Sequence, residues 1–265
     1  MDEVFVGGGV DQNDGLFKFQ DGGFVNISDQ VNLPSAKGTT TIGAASFDMD
    51  GDGAVDLLVT NDAGVSFYKN VGGKFEAQKL NLSLNEKSNA ASITIGDINK
   101  DGHPDMFLSC YIKVNLMEGI TIFTDKNYGA SSHLFLNSGD TEKLSFQDAT
   151  EEMGLSYVHN TFIGVLVDVD KDSWLDLVVA YDTGEARTYK NMGGQKFKMM
   201  PNPMTNKFGY PMGIAVGDYN NDNNVDFFFS NTGSSVPRAL ANGDLPHDDD
   251  LILDWLLFRL SLIHI

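Results

Sequence analysis

The chain has 265 residues, with 18 basic and 37 acidic side chains and a formal charge of −19. This acidity argues against binding to nucleic acid or to an anionic membrane surface, because both need a basic face. The single cysteine, Cys110, excludes an intrachain disulfide framework and zinc sites built from several cysteines, and no apolar run reaches the roughly 18 residues of a membrane-spanning helix.

The first predicted elements are short strands. Residues 2–6 form an apolar run, and residues 16–27 (LFKFQDGGFVNI) are typical of two strands joined by a tight turn. Both match the second half of the repeating unit described below, so residues 1–33 are interpreted as a half-unit. We expect the true start, with any signal segment, to lie outside this sequence. The glycines at 7–9 are typical of a loop after a strand rather than of a phosphate-binding loop.

Four acidic segments then align without gaps. They are FDMDGDGAVDLLVT from Phe47, GDINKDGHPDMFLS from Gly96, VDVDKDSWLDLVVA from Val167 and GDYNNDNNVDFFFS from Gly217. A small apolar stretch with glycine precedes each segment, and two strands with an Asn/Gly turn follow, as in VSFYKNVGGKFE. Each unit therefore predicts four short strands over roughly 50 residues, and a tandem repeat of such units favours a β-propeller over a sandwich.

The predicted units start near residues 40, 90, 160 and 210. The interval between the second and third is longer because of an insertion at 113–132, for which a partner site and a longer hairpin are both open interpretations. The pattern fades after 232. Residues 255–259 are predicted to form a third strand, so the propeller region is placed at 1–259, and 233–265 are interpreted as an irregular, truncated tail.

Each acidic segment contains a nine-residue loop with oxygen-bearing side chains at positions 1, 3, 5 and 9. Position 7 can add its backbone carbonyl, and position 6 lies at a sharp turn that favours Gly or Asn. The candidate metal ligands are Asp48, Asp50, Asp52, Ala54 and Asp56; Asp97, Asn99, Asp101, His103 and Asp105; Asp168, Asp170, Asp172, Trp174 and Asp176; and Asp218, Asn220, Asp222, Asn224 and Asp226.

Oxygen-only ligation indicates calcium (Ca2+), which takes six to eight hard oxygen ligands. Two carboxylates about 4 Å apart repel by roughly 4 kcal/mol at an effective dielectric constant of 20, so these loops are expected to need a cation. Magnesium fits less well because it keeps its waters and a strict octahedron. EF-hands are excluded because position 12 holds Val59, Leu108, Val179 or Phe229 instead of Glu. The alternative of acidic surface turns does not account for four loops in register.

These loops, with the apolar run after the last Asp, resemble the FG-GAP/VCBS repeat family. The segments KNVGGKFE, LNSGDTEKLSFQDATEEMGL and KNMGGQKFK are most similar to its cartilage acidic protein (ASPIC/UnbV-associated) branch. The resemblance covers residues 2–232 and extends toward 259. It implies an all-β propeller of seven blades, of which this chain would hold about four and a half, secreted or on the cell surface, with calcium in the loops. Ser173 and Asn223 depart from the usual Gly of the family.

The expected function is that of a calcium-binding, non-catalytic extracellular module for adhesion or recognition, with an extracellular protein or a glycan as partner. The alternative is an accessory propeller region of a secreted carbohydrate-active or other enzyme, and a third option is a structural spacer. The sequence contains no Gly-x-Ser-x-Gly, His-Glu-x-x-His or P-loop motif, and its histidines form no pair at metal spacing. Cys110 is predicted to be a buried core thiol, with a Cys/His nucleophile pair as the alternative.

Overall fold

The computed structural model describes residues 3–117, 128–140, 143–182, 186–201, 211–231 and 259–264. Within these ranges the chain forms antiparallel sheets and one short 3₁₀ turn (Val114–Leu116). The strands are β1 (Glu3–Val6), β2 (Gly15–Gln20) and β3 (Gly23–Asn26) in the first sheet; β4 (Thr41–Phe47), β5 (Asp56–Asn61), β6 (Gly64–Val71) and β7 (Lys74–Gln78) in the second; β8 (Ser88–Gly96), β9 (Asp105–Ile112), β10 (His133–Asn137) and β11 (Phe146–Asp148) in the third; β12 (Thr161–Val167), β13 (Asp176–Tyr181), β14 (Ala186–Asn191) and β15 (Phe197–Met199) in the fourth; and β16 (Pro211–Gly217), β17 (Asp226–Asn231) and β18 (Arg259–His264) in the fifth.

In every sheet, strands that are consecutive in the chain are neighbours and pair antiparallel. The predicted all-β class with repeated four-stranded sheets is confirmed. The third strand of the fifth sheet lies at Arg259–His264, beyond the predicted 255–259; residues 255–258 are outside the described ranges, as are 118–127 of the insertion. The predicted boundaries of the units and of the tail stay predictions.

The first strands of consecutive sheets lie side by side in the order β4, β8, β12 and β16. This is the arrangement of inner strands in a β-propeller, in which each blade contacts the next. Glycine permits the close approach at two points. A Cβ atom on Gly43 would lie 2.6 Å from the carbonyl oxygen of Ala91 in the next sheet, and one on Gly164 would lie 2.7 Å from the ring of Phe107 in the preceding sheet.

The hydrophobic core is divided into clusters that lie between consecutive sheets. The second strands β5 and β13 are buried along their whole length, because sheets cover both of their faces. Their sequences are therefore continuous apolar runs rather than alternating ones. Cys110 is fully buried on β9 in the cluster between the second and third sheets, which confirms the predicted core thiol. Burial raises the pKa of this thiol, so it stays protonated at neutral pH.

Among the described residues, no helix is long and apolar enough to span a bilayer.

Candidate metal centre

Each acidic loop connects the first strand of a sheet to the second, and all four are held by the same hydrogen bonds. The position-1 aspartate accepts the position-6 N–H through Oδ2, at 2.8–3.0 Å in every loop. The position-5 aspartate accepts the position-7 N–H through Oδ1, at 2.8–2.9 Å. These bonds fold nine residues into a compact turn with its side-chain oxygens inside, a local geometry that the repeated spacing encodes.

The position-9 aspartate anchors each of the first three loops to its sheet. In the second loop, Asp105 is completely buried; its Oδ2 accepts the N–H of Ile98 at 2.9 Å, and its Oδ1 accepts the N–H of Asn137 at 2.9 Å. Asp56 and Asp176 make the equivalent pairs of bonds in the first and third loops. The fixed aspartate thus ties the loop to the third strand of its sheet.

Two positions of each loop have left-handed backbone conformations. Position 6 was predicted to do so, and its φ angle is +87° at Gly53, +71° at Ser173 and +64° at Asn223. Ser173 adopts the same conformation as the glycine that it replaces, at the cost of strain for a residue with a Cβ. Position 4 is also left-handed, with φ of +59° at Lys100 and +64° at Lys171. Gly51 and Asn221 signal this conformation at position 4, whereas the lysines of the second and third loops do not.

Carboxylate oxygens converge in the first and third loops. One oxygen from each of Asp48, Asp50 and Asp56 lies within 4.8 Å of the others, and Asp168, Asp170 and Asp176 repeat the arrangement. Two ligands of one calcium ion, each 2.3–2.6 Å from it, can be at most about 5 Å apart. The spacing and the oxygen-only donor set therefore fit a calcium-sized hard cation.

In these two loops a lysine from the third strand contacts the aspartates at positions 3 and 5. Lys69, from β6, forms ion pairs with Asp50 and with Asp52, the latter at 3.1 Å. Lys190, from β14, does the same with Asp170 and with Asp172 at 3.0 Å. Hydrogen bonds to these carboxylates raise the lysine pKa values.

The pKa of Asp52 is lowered by the Ala54 N–H and by Lys69, and that of Asp172 by the Trp174 N–H and by Lys190. Both aspartates therefore stay ionised well into the acid range.

The second and fourth loops have asparagine at position 3. Asn99 Nδ2 donates to Asp101 Oδ2 at 2.8 Å, and Asn220 Nδ2 donates to Asp222 Oδ2 at 2.9 Å. The amide thus joins positions 3 and 5 directly. The assignment of the full ligand sets, including the four position-7 carbonyls, remains a prediction.

Burial destabilises the charged form of the position-9 aspartates of the first three loops. Desolvation raises the pKa of Asp105 to about 6, helped by the nearby charges of Asp101 and Asp97. Desolvation by burial also raises the pKa values of Asp56 and Asp176. A cation at these loops would offset the desolvation by favouring the ionised carboxylates.

Neighbouring loops contact each other in register. Lys100, at position 4 of the second loop, lies over the indole of Trp174, at position 7 of the third, 4.1 Å from the ring centroid. Lys171, at position 4 of the third loop, donates to Asn224, at position 7 of the fourth, at 2.9 Å. The first loop has Gly51 at position 4 and so lacks this side chain. The second, third and fourth loops therefore form a connected row along one edge of the propeller.

The loop environment includes residues that the candidate ligand set omits. Asn70, Asn137 and Asn191 hold the loops from the third strands, and Lys69 and Lys190 supply charge. The signal was present in the sequence, because the pair Lys-Asn recurs before a glycine turn in the first and third units. Its function could not be assigned without knowing that the third strand runs beside the loop.

Comparison with known proteins agrees with this geometry. A model of the FG-GAP-like repeat matches residues 48–108 and 168–229. Human cartilage acidic protein 1 is 26% identical over 90% of this chain and 37% of its own length, and the Xenopus tropicalis protein is 24% identical over 89% and 37%. The chain thus spans a little over a third of the length of these relatives.

Two solved structures show a distant similarity to this chain. The V. cholerae biofilm matrix protein Bap1 gives a TM-score of 0.44 at 13% identity, over 88% of this chain and 31% of the other. An Agrocybe aegerita lectin specific for non-reducing terminal N-acetylglucosamine gives 0.45 at 11% identity, over 86% and 62%. On the repeat and sequence matches, the chain carries FG-GAP-like repeats and has distant homology, at about 25% identity, to cartilage acidic protein 1 over most of its length.

Proposed function

We propose that this region is a calcium-binding FG-GAP repeat module. The observation that carries the proposal is the convergence of three carboxylate oxygens within 4.8 Å in two loops, Asp48 with Asp50 and Asp56, and Asp168 with Asp170 and Asp176. The second and fourth loops share the hydrogen-bonded framework and differ at position 3. We therefore propose calcium in all four loops, held by the residues at positions 1, 3, 5, 7 and 9.

Calcium supplies positive charge when it is bound. The residues of the loop do the rest: the position-1 and position-5 aspartates close the turn, and the position-9 aspartate fixes it to the third strand. The junction between the first two strands of each blade is therefore the part of the fold that we expect to depend on calcium.

The first test compares thermal unfolding in calcium with unfolding in excess chelator. Binding to the folded state alone stabilises it by mass action, and by more when several sites are filled. We expect a rise of the melting temperature (Tm) that increases with calcium concentration. A folded protein with the same Tm in both buffers would overturn the calcium proposal.

A second test assigns the loops. Calorimetric titration with CaCl2 should show Asp48→Asn and Asp168→Asn each weakening or losing binding at one site, since each removes a carboxylate from a converging triad. Glu86→Gln is the matched control, because Glu86 is an exposed acid that precedes β8, at the opposite end of that strand from the second loop. Unchanged titrations for both aspartate variants would refute the assignment.

For the biological role, we propose a non-catalytic extracellular module for recognition or adhesion, secreted or at the cell surface, whose partner is a protein or a glycan. The names of the sequence relatives support it, since they are cartilage acidic proteins.

One histidine in the described part of the chain has a carboxylate partner that invites a catalytic interpretation. His133 Nδ1 lies 2.9 Å from Asp148 Oδ2, beside a pocket that Ser131 and Ser132 also line. However, His133 Nε2 accepts the backbone N–H of Asn85 at 3.2 Å, and the ring is buried. With Nε2 already accepting a bond, the ring has no nitrogen available to take a serine proton. The pair instead joins β10 to the end of β11.

The role is tested by binding of the immobilised chain to a glycan array and to extracellular-matrix proteins, in calcium and in chelator. Calcium-dependent binding to a defined ligand supports a recognition module. Absence of binding, together with polysaccharide cleavage by the longer protein that contains this region, would instead favour an accessory propeller of an enzyme.

A further inference from the structure

The four loops fall into two classes that differ in how they balance charge. The first and third have aspartate at position 3, and in each a lysine from the third strand bridges the carboxylates at positions 3 and 5. The second and fourth have asparagine at position 3, whose amide reaches the position-5 carboxylate directly.

The change at position 3 is accompanied by a change on the third strand. Equivalent positions on the third strands can be identified from the strand register. In the first unit, Leu57 comes directly after the position-9 aspartate and pairs with Tyr68, and Lys69 is the next residue. The corresponding residue in the third sheet is Leu136, which follows Phe135, the partner of Met106. In the first loop an additional carboxylate therefore occurs together with an additional ammonium group, and in the second loop a neutral amide occurs with a neutral side chain.

This pairing has a consequence for a bound cation. Lys69 contacts Asp50, and Asp50 is also one of the three carboxylates that converge. Lys190 has the same relation to Asp170. A cation held by these carboxylates would lie close to an ammonium group that uses the same aspartate. Two positive charges at such short range repel, and the carboxylate must divide its interaction between them.

We propose, on the basis of the proposed calcium function, that Lys69 and Lys190 are built-in competitors of calcium in the first and third loops. These two loops bind calcium more weakly than the second loop, where Leu136 stands in the place of the lysine, and they keep their shape through the lysine when calcium is scarce. The first and third loops then fill after the second loop as the calcium concentration rises.

The third loop offers a local reporter. Trp174 is its position-7 residue, and the chain has only one other tryptophan, Trp255. In a Trp255→Phe background, terbium luminescence excited through Trp174 follows ion entry into the third loop, and its displacement by CaCl2 measures calcium affinity there. Calorimetry with CaCl2 on the same proteins reports the remaining loops.

In this background, Lys190→Leu should raise the calcium affinity of the third loop by about tenfold or more, and it should lower the Tm in chelator. Lys190→Gln keeps a polar side chain and should act in the same direction, so the test still works if the leucine variant folds poorly.

The double variant Asp170→Asn with Lys190→Leu recreates the Asn99 and Leu136 combination of the second loop. Its Tm in chelator should therefore return toward that of the parent. The control is Lys198→Leu, because Lys198 is an exposed lysine on β15.

The outcomes separate the two proposals. If neither the parent nor any variant binds calcium by calorimetry, the proposed function itself fails. If the parent binds calcium and both Lys190 variants bind with the affinity of Lys198→Leu or more weakly, the loops do bind calcium but the lysine is not a competitor, and this inference is overturned.

Discussion

The side chain of Asn137 joins two consecutive blades. Its Nδ2 donates to the carbonyl of Met49, at position 2 of the first loop, at 3.1 Å, and to the carbonyl of Pro104, at position 8 of its own loop, at 3.2 Å. Asn191 repeats the arrangement one blade later, with Ile98 and Leu175 as acceptors. One buried amide thus holds two acidic loops in a fixed relation, although 88 residues separate Asn137 from Met49.

Asn137→Ala should destabilise the protein by about 2–3 kcal/mol, because it leaves two backbone carbonyls without this donor in a buried setting. Urea unfolding measures the effect. Asn70→Ala is the matched control, since Asn70 Nδ2 reaches only Val55 in its own loop among the described residues, and it is half-buried. We expect it to cost about 1 kcal/mol. Equal costs for the two variants would show that the link between the blades adds nothing.

Ser173→Gly should stabilise the third loop. Ser173 has a φ angle of +71°. This conformation costs a residue with a Cβ about 1 kcal/mol of stability, whereas glycine adopts it without strain. We expect a gain of about 0.5–1 kcal/mol by thermal or urea unfolding. Asn223→Gly tests the reasoning, because asparagine tolerates this conformation and should gain less. A loss of stability in Ser173→Gly would mean that the serine makes a favourable interaction that outweighs the strain.

Gly43→Ala should destabilise the contact between the second and third sheets by about 1–3 kcal/mol. The added methyl group would lie 2.6 Å from the carbonyl oxygen of Ala91, a backbone atom that cannot move without shifting β8. Gly23→Ala is the control, since its Cβ would meet nothing within 4 Å. A cost for Gly43→Ala no larger than that of the control would contradict the tight packing of the first strands.

Asp105 makes the calcium-free protein sensitive to pH. Burial raises its pKa in the folded state to about 6, from an ordinary value of 3.8. Between these values the folded state holds a proton that the unfolded state has released, so this group's contribution to stability increases as the pH falls through about 6 toward 4.

Asp105→Asn should therefore flatten the pH dependence of urea unfolding between pH 4 and 7 in calcium-free buffer. Asp56 and Asp176 shift in the same direction, so part of the dependence will remain. Glu76→Gln, on the exposed face of β7, should follow the parent. If the slope of Asp105→Asn matches that of Glu76→Gln, the raised pKa is refuted.

The sequence by itself determined the repeat and its chemistry. The D-x-[DN]-x-D spacing is local, so nine residues suffice to show where oxygen atoms gather, and the apolar run after each loop marks a strand buried on both faces. The turn at position 6 was readable for the same reason, because a sharp turn restricts the residue type within the loop itself. The resemblance to the FG-GAP family rests on these local patterns.

Only the tertiary structure decided what surrounds each loop. Lys69 lies 19 residues from Asp50 in the chain, and Asn191 lies 93 residues from Ile98. These partners meet because the third strand of a blade runs beside its own loop and because the next blade packs against the previous one. Register and packing across sheets are non-local, so a spacing motif cannot encode them, and the lysine contacts of the first and third loops became visible only once the blades were assembled.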